Sequence, residues 1–182
     1  MGEIHVHEFM SADGVIDAPT WTFDYGFPEK QAEAITAFVQ GCKGILLGRT
    51  TFEMFSTAWP QRTAEEDPGA PFFNDTPKYV VSGSRTDASI WQNSEIIGPY
   101  NPDAIRRLKD EVGDLYTSGS ATLVRAMLED GLIDGLHLFV FPLTRGSGPR
   151  LFAEGASPKK LSLAASDRYE NGVVYLNYRP QA

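Results

Sequence analysis

Short apolar runs and amphipathic stretches alternate along the chain, and their periods assign the elements. Residues 3–10 alternate, with Ile4 and Val6 on one face and His5, His7 and Phe9 on the other, the two-residue repeat of a strand. Residues 28–39 carry Ile35, Phe38 and Val39 at helical spacing, and Gly41 supplies a stop. The run GILLG (44–48) is wholly apolar, as a strand covered on both faces requires. Residues 50–59 place Phe52, Phe55 and Trp59 on one helical stripe, and KYVVS (78–82) is another short strand. Asn101-Pro102-Asp103 joins a capping side chain, a first-turn proline and an early acid, and Ile105, Leu108 and Val112 form the stripe of the helix that follows. Residues 115–117 predict a brief strand. Residues 118–129 predict a helix with Leu123, Val124, Met127 and Leu128 inward, ended by Gly131, and residues 132–141 a long strand. Asn171-Gly172, between 161–169 and 173–178, is a hairpin signal.

Repeated strand–helix units closed by an antiparallel hairpin predict an α/β fold, a mostly parallel central sheet with helices on both faces. The stretch PQRTAEEDPGAPFFNDTP (60–77) is too long for an ordinary connection. It reads as a lid or an interface loop, or else as a mobile acidic surface loop; Phe72 and Phe73 favour a segment that docks.

Composition narrows the field. A chain of 182 residues is expected to form one domain over 1–182. Its net charge of −8 opposes nucleic acid and anionic membrane as partners, while an anionic small ligand needs only a few local donors. No apolar run approaches a membrane span, and the start MGEIHVHEFM lacks the basic and apolar regions of a signal peptide, so the cytoplasm is the expected location. The single cysteine, Cys42, excludes an intrachain disulfide and a cysteine-rich zinc site. His5 and His7 share a strand face, but no third metal ligand is signalled, and no metal is expected.

Three strand ends look alike. GILLG runs into Gly48-Arg49-Thr50-Thr51, KYVVS into Ser82-Gly83-Ser84-Arg85, and LYT into Ser118-Gly119-Ser120, at spacings of 34 and 36 residues that suit a strand–helix–strand unit. In a parallel sheet these ends share one edge, where open α/β sheets bind ligands. Small residues admit a close approach to backbone, free amides at a helix start suit phosphate, and Arg49 and Arg85 add charge-assisted donors. The alternative is that they are turns and nothing more. No P-loop lysine and no GxSxG elbow is present.

With these residues in view the sequence resembles the dihydrofolate reductase-like superfamily, in particular the group similar to the reductase domain of bacterial riboflavin biosynthesis. Ser11-Ala12-Asp13-Gly14-Val15-Ile16 is similar to that family's S-x-D-G-x-I turn, and Gly48-Arg49-Thr50-Thr51-Phe52-Glu53 to its GR-x-T-[FW]-E segment. Residues 79–84, 115–123 and 142–152 (PLTRGSGPRLF) match further segments in order, so the likeness spans nearly the whole chain. It implies a three-layer dihydrofolate reductase-like fold, NADPH as cofactor, hydride transfer to a small heterocyclic or carbonyl substrate, and a homodimer. Carried over, Gly48, Arg49, Thr50 and Thr51 would hold phosphates, with Arg49 near the adenosine 2′-phosphate. Ser82, Gly83, Ser84 and Arg85 would flank the adenine ribose. Ser118, Gly119, Ser120, Ala121, Thr122 and Leu123 would cradle the pyrophosphate, and Met10, Ser11, Ala12 and Val15 would line the nicotinamide slot.

Asp13, on the turn beside that slot, is then the candidate proton donor or substrate anchor; its plainer role is to stabilise the turn. Trp21, Phe52, Phe55 and Trp59 are candidate walls of the substrate pocket, or ordinary core. The carboxylate with which folate reductases grip a pterin has no clear counterpart near Ala32, and SGSRTDAS (82–89) departs from the basic substrate signature of the riboflavin branch. A non-catalytic nucleotide- or drug-binding module on the same fold is therefore the alternative, and a flavin or deazaflavin in place of the nicotinamide is a third reading.

Overall fold

The computed structural model describes residues 2–17, 19–152 and 154–181. Eight strands make one sheet: β1 (Ile4–Ser11), β2 (Gly44–Gly48), β3 (Lys78–Val81), β4 (Ser94–Gly98), β5 (Leu115–Thr117), β6 (Gly135–Phe141), β7 (Leu161–Arg168) and β8 (Val174–Pro180). Their order is β4-β3-β2-β5-β1-β6-β8-β7. Every pair from β4 to β6 is parallel, and β8 joins β6 antiparallel with β7 antiparallel on its far side. The helices are α1 (Glu29–Val39), α2 (Arg49–Ala58), α3 (Ala70–Asp75), α4 (Pro102–Val112) and α5 (Ala121–Glu129), with a 3₁₀ turn at Thr20–Tyr25.

The two-residue strand repeat sorts the core into layers. Ile4, Val6, Leu46, Leu115, Leu136 and Leu138 face α4 and α5, meeting Ile105, Leu123, Val124 and Met127. Ile45, Leu47, Val80 and Tyr116 face the opposite way, toward Phe38, Val39, Phe52 and Phe73 of α1, α2 and α3. GILLG lies at the centre with all five residues buried, which is why its sequence is apolar without alternation. Asn101 caps α4, its Oδ1 accepting from the Ala104 amide at 3.0 Å. The hairpin closes through a turn whose Gly172 takes φ +84°, with the Tyr169 amide donating to the Val173 carbonyl.

Four features differ from the sequence pattern. Helix α5 starts at Ala121, three residues later than expected, because Gly119 takes φ +59° and interrupts the helical backbone. Strand β6 starts at Gly135, three residues later than expected, because the Asp134 carboxylate is occupied by the Ile4 amide and by Lys109 Nζ, at 2.8 and 2.9 Å. Strand β4 was not predicted; it is a half-buried edge strand with no strong alternation. The stretch 60–77 is partly helical. Phe73 stacks on Trp59 at 4.0 Å, and the buried Lys78 ammonium donates to the carbonyls of Phe73, Asn74 and Thr76 at 2.8, 3.1 and 2.9 Å. Asn74 ties the same segment to Trp59 and Trp91. This part of the stretch is a docked and capped element, as the two phenylalanines suggested.

Candidate functional site

The ends of β3, β2, β5 and β1 are consecutive along one edge of the sheet, so Ser82, Gly48, Ser118 and Ser11 follow one another across it. The backbones there are tightly apposed. A Cβ added to Gly48 would lie 2.5 Å from Ser120 Oγ, and one added to Gly119, at φ +59°, would lie 2.8 Å from Thr51 Oγ1. Helix α2 leaves directly from Gly48 and α5 from Ser120, and neither N-cap residue makes a side-chain cap bond. Two helix starts thus present uncapped amides side by side. Thr50 and Thr122 are exposed beside them, whereas Thr51 and Leu123 are buried supports.

The two arginines meet on one acid. Glu53 of α2 accepts from Arg49 Nη1 at 3.2 Å and from Arg85 Nη1 at 3.1 Å, across 32 residues of sequence in the second case. Ser82 is buried, and its Oγ accepts the amides of Ser84 and Arg85 at 3.3 and 2.9 Å, which shapes the loop carrying Arg85. Gly83 and Ser84 stand exposed above it. The Arg49–Glu53–Arg85 cluster carries a net +1 on a chain of net −8.

At the end of β1 the Ser11–Gly14 turn is stitched to the loop after β6. Ser11 is buried; its Oγ donates to Asp13 at 2.6 Å and accepts the Val15 amide at 3.0 Å. Asp13 also accepts the amides of Arg145 (3.0 Å) and Gly146 (2.8 Å), with Arg150 3.9 Å away. Ala12 donates to Leu143 O, and Val15 pairs with Arg150 in an isolated bridge. The Ser11 hydroxyl first, then the two loop amides, hold the Asp13 carboxyl well below the usual carboxylate range. Its two bonds to the Arg145 and Gly146 amides make Asp13 an anchor for residues 145–146. Val15 is fully buried, Met10 packs half-buried on the α5 side of the sheet, and Ala12 is exposed.

One group at this edge has no counterpart in the sequence reading. Glu8 of β1 is 5% exposed, and its Oε1 accepts the Gly119 amide at 2.8 Å. Burial pushes its carboxyl up to about 8, against the opposing pull of that amide. The signal was present: Glu8 shares the parity of Ile4 and Val6, the apolar face of a buried strand. On the other face the strand histidines make buried and half-buried hydrogen bonds. His7 Nδ1 meets Tyr116 Oη at 2.9 Å, His5 Nδ1 meets His137 Nε2 at 3.1 Å, and His137 Nδ1 meets Tyr175 Oη at 2.7 Å. Burial lowers His7 to about 3 and His137 to about 4.

The family model for the RibD C-terminal domain matches residues 3–175. The chain belongs to the RibD C-terminal domain family. It is 25% identical over 175 residues to the uncharacterized protein YyaP of Bacillus subtilis (strain 168), covering 93% of this chain and 90% of that one. Among solved structures, a putative riboflavin biosynthesis protein from Shewanella sp. PV-4 superposes with a TM-score of 0.80 at 21% identity, covering both chains completely. A pyrimidine reductase-like protein from Corynebacterium diphtheriae superposes with a TM-score of 0.67 at 14% identity, over 100% of this chain and 92% of that one. These likenesses show a RibD-type fold.

Within that RibD-type frame the aromatic candidates are redistributed. Phe52 is fully buried beneath α2 against Trp91 and is core, not a pocket wall. Phe55 and Trp59 pack on Phe73 and close over α3, so the stripe of the second helix holds the 60–77 segment. Trp21 and Tyr25 turn inward onto Phe141, at 5.3 and 5.5 Å. In the same segment Phe23 and Phe27 face outward, and Phe27 lies 5.6 Å from Phe9 of β1, two residues before the Ser11 turn. A RibD-type reductase implies a dinucleotide. The residues fit one: apposed glycine-bearing turns, two uncapped helix starts and a pair of guanidiniums lie along one edge.

Proposed function

We propose that this chain is a single-domain NADPH-dependent reductase acting on a small planar heterocyclic or carbonyl substrate. One observation carries the reading: Gly48, Ser82 and Gly119 sit on neighbouring strand ends while Arg49 and Arg85 converge on Glu53 at the same edge. In this reading the uncapped amides of α2 and α5, with Thr50, Thr51, Ser118, Ser120, Ala121 and Thr122, bind the diphosphate. Arg49, Arg85, Ser82, Gly83 and Ser84 bind the adenosine end with its 2′-phosphate. Met10, Ser11, Ala12 and Val15 border the nicotinamide slot, with Leu123 as apolar support. When bound, NADPH supplies the hydride. The protein's own part is to hold donor and acceptor in line and exclude water. Asp13 serves by fixing residues 143–150 against the slot, and Phe9 and Phe27 form the aromatic wall against which a flat substrate lies.

The relatives' printed names, riboflavin biosynthesis protein and pyrimidine reductase-like protein, point to the same class of acceptor. The reading places the protein in the cytoplasm as a homodimer. Exposed Leu163 and Val174 on the edge hairpin offer apolar surface for pairing. Sedimentation of the pure protein tests that part.

The cofactor assignment is tested by titrating the protein with NADPH and with NADH and following nicotinamide fluorescence. Arg85→Ala and Arg49→Ala are each expected to weaken NADPH by about 1.5–3 kcal/mol, the worth of a charged hydrogen bond, and to leave NADH nearly unaffected. Equal losses for both cofactors would remove the 2′-phosphate assignment, and no binding at millimolar NADPH would remove the reductase.

A further inference from the structure

Glu8 is a carboxyl buried in the floor of the proposed phosphate site. It lies on the face of β1 that carries Ile4 and Val6, next to Leu138 across the ladder to β6 and beneath the turn that starts α5. Its Oε1 takes the Gly119 amide, while Thr51 closes on Gly119 from α2 and Ser120 closes on Gly48. The charged and titratable neighbours are few. Tyr116 of β5 lies within electrostatic reach and is neutral below its own raised range. The residues that α5, α2 and β6 bring to this face include Leu123, Thr51 and Leu138. Among the described residues Glu8 forms no ion pair.

A carboxylate so placed would stand directly behind a bound diphosphate, two like charges in a dry floor with no cation between them. A carboxylic acid at the same spot still accepts the Gly119 amide through its carbonyl oxygen and carries no charge. Resting on the dinucleotide reading above, we propose that Glu8 is the positioning residue of the Gly119–Ser120 turn, that it does this work as the neutral acid, and that binding of the dinucleotide diphosphate therefore takes up a proton wherever the free protein holds Glu8 ionised. The acid holds the turn open for the anion, and the anion in turn holds the proton on Glu8, which is ordinary reciprocal linkage.

The size follows from the fraction of protein in the competent form. With the free carboxyl half-ionised near pH 8, that fraction falls to about one in thirty at pH 9.5, so the apparent Kd for NADPH is expected to rise about 30-fold between pH 7 and pH 9.5. Calorimetric titration at pH 9 in two buffers of different ionisation enthalpy should report an uptake of close to one proton per NADPH. Glu8→Gln keeps an acceptor for the Gly119 amide and removes the titration. It should bind NADPH with a Kd that varies less than threefold over the same range and take up no proton at pH 9. Glu8→Ala leaves the amide unpartnered and should bind more weakly at every pH.

A wild-type Kd that is flat to pH 9.5, or a rise that persists unchanged in Glu8→Gln, overturns the role given to Glu8 while leaving NADPH binding in place. Absence of NADPH binding at every pH overturns the reductase reading and this inference with it. Should Glu8→Gln fail to fold, proton uptake by the wild-type protein decides alone, since no uptake at pH 9 contradicts the proposal.

Discussion

The two faces of the sheet at β1 and β6 carry titratable groups whose environments oppose one another, and the acid response of this protein follows from them. On the α1 side, burial first and then their mutual repulsion with neighbouring histidines lower His7 and His137 from 6.5 to about 3 and about 4. Folding favours their neutral forms, so the stability they protect is complete above pH 6.5 and drains as the pH falls below it. At pH 5 an unfolded histidine is almost fully protonated while both folded ones are neutral. Each withdraws about 2 kcal/mol between pH 7.5 and pH 5, about 4 kcal/mol together. The figure is insensitive to the folded values, because both lie below 5.

On the α5 side Glu8 acts with the opposite sign. Its folded pKa is raised from 4.5 to about 8, so folding favours the acid and stability rises as the pH falls from 8 toward 4.5, by about 3 kcal/mol over the same interval. The wild-type protein is thus expected to lose only about 1 kcal/mol between pH 7.5 and pH 5, because the two terms nearly cancel. Glu8→Gln removes one of them. It should lose about 4 kcal/mol, a large share of the stability of an ordinary domain. Urea unfolding followed by the fluorescence of Trp21, Trp59 and Trp91 measures both proteins at both pH values, and Glu8→Gln carrying His7→Phe should recover about half of the loss. A Glu8→Gln protein that changes by less than about 1 kcal/mol between the two pH values refutes the account of both faces.

Three further outcomes follow from the site. Gly48→Ala drives a methyl against Ser120 Oγ and Cβ, at 2.5 and 3.3 Å, and should cost about 1–2 kcal/mol of stability and weaken NADPH; Ser120→Gly in the same chain should restore both, and a double-mutant cycle showing no coupling would deny that the two turns touch. Lys78→Met leaves the carbonyls of Phe73, Asn74 and Thr76 without their donor and should cost about 3 kcal/mol while exposing 60–77 to limited proteolysis, whose unchanged rate would count against the capping role. Asp13→Asn should free residues 143–150 to protease and lower NADPH affinity along with turnover; abolished turnover with the loop still protected would instead return Asp13 to the role of proton donor.

How much of this was legible in the chain depended on whether the signal was local. GILLG announced a central strand because both its faces are buried, and the Asn101-Pro102-Asp103 cap announced α4 because a helix start is settled within one turn. The three strand ends were visible because a strand–helix–strand unit has a characteristic length, and the sheet order then fixed their adjacency. What escaped was long-range side-chain pairing. Glu53 read as part of a motif, and only the folded chain shows it drawing Arg49 and Arg85 together. Lys78 read as the polar start of a strand, yet it is fully buried because the end of α3 supplies three carbonyls to its three ammonium hydrogens. The stripe of Phe52, Phe55 and Trp59 was correctly placed on one helix face; the sequence could not say that this face meets α3 instead of a ligand.

On the proposed reading, the charge arrangement accounts for how an acidic protein would offer an anion a seat. A net charge of −8 spread over an exposed surface is screened by salt within about 8–10 Å. Amides at two helix starts and a pair of guanidiniums act at contact distance, where screening is weak. Glu53 keeps those guanidiniums neighbours at the cost of partly neutralising them, so on that reading a phosphate would have to compete with a carboxylate already in place. The same logic requires that no second carboxylate lie uncompensated at the floor of the groove. On the proposed reading Glu8 is the one that threatens this, and its burial answers the threat by favouring the neutral acid.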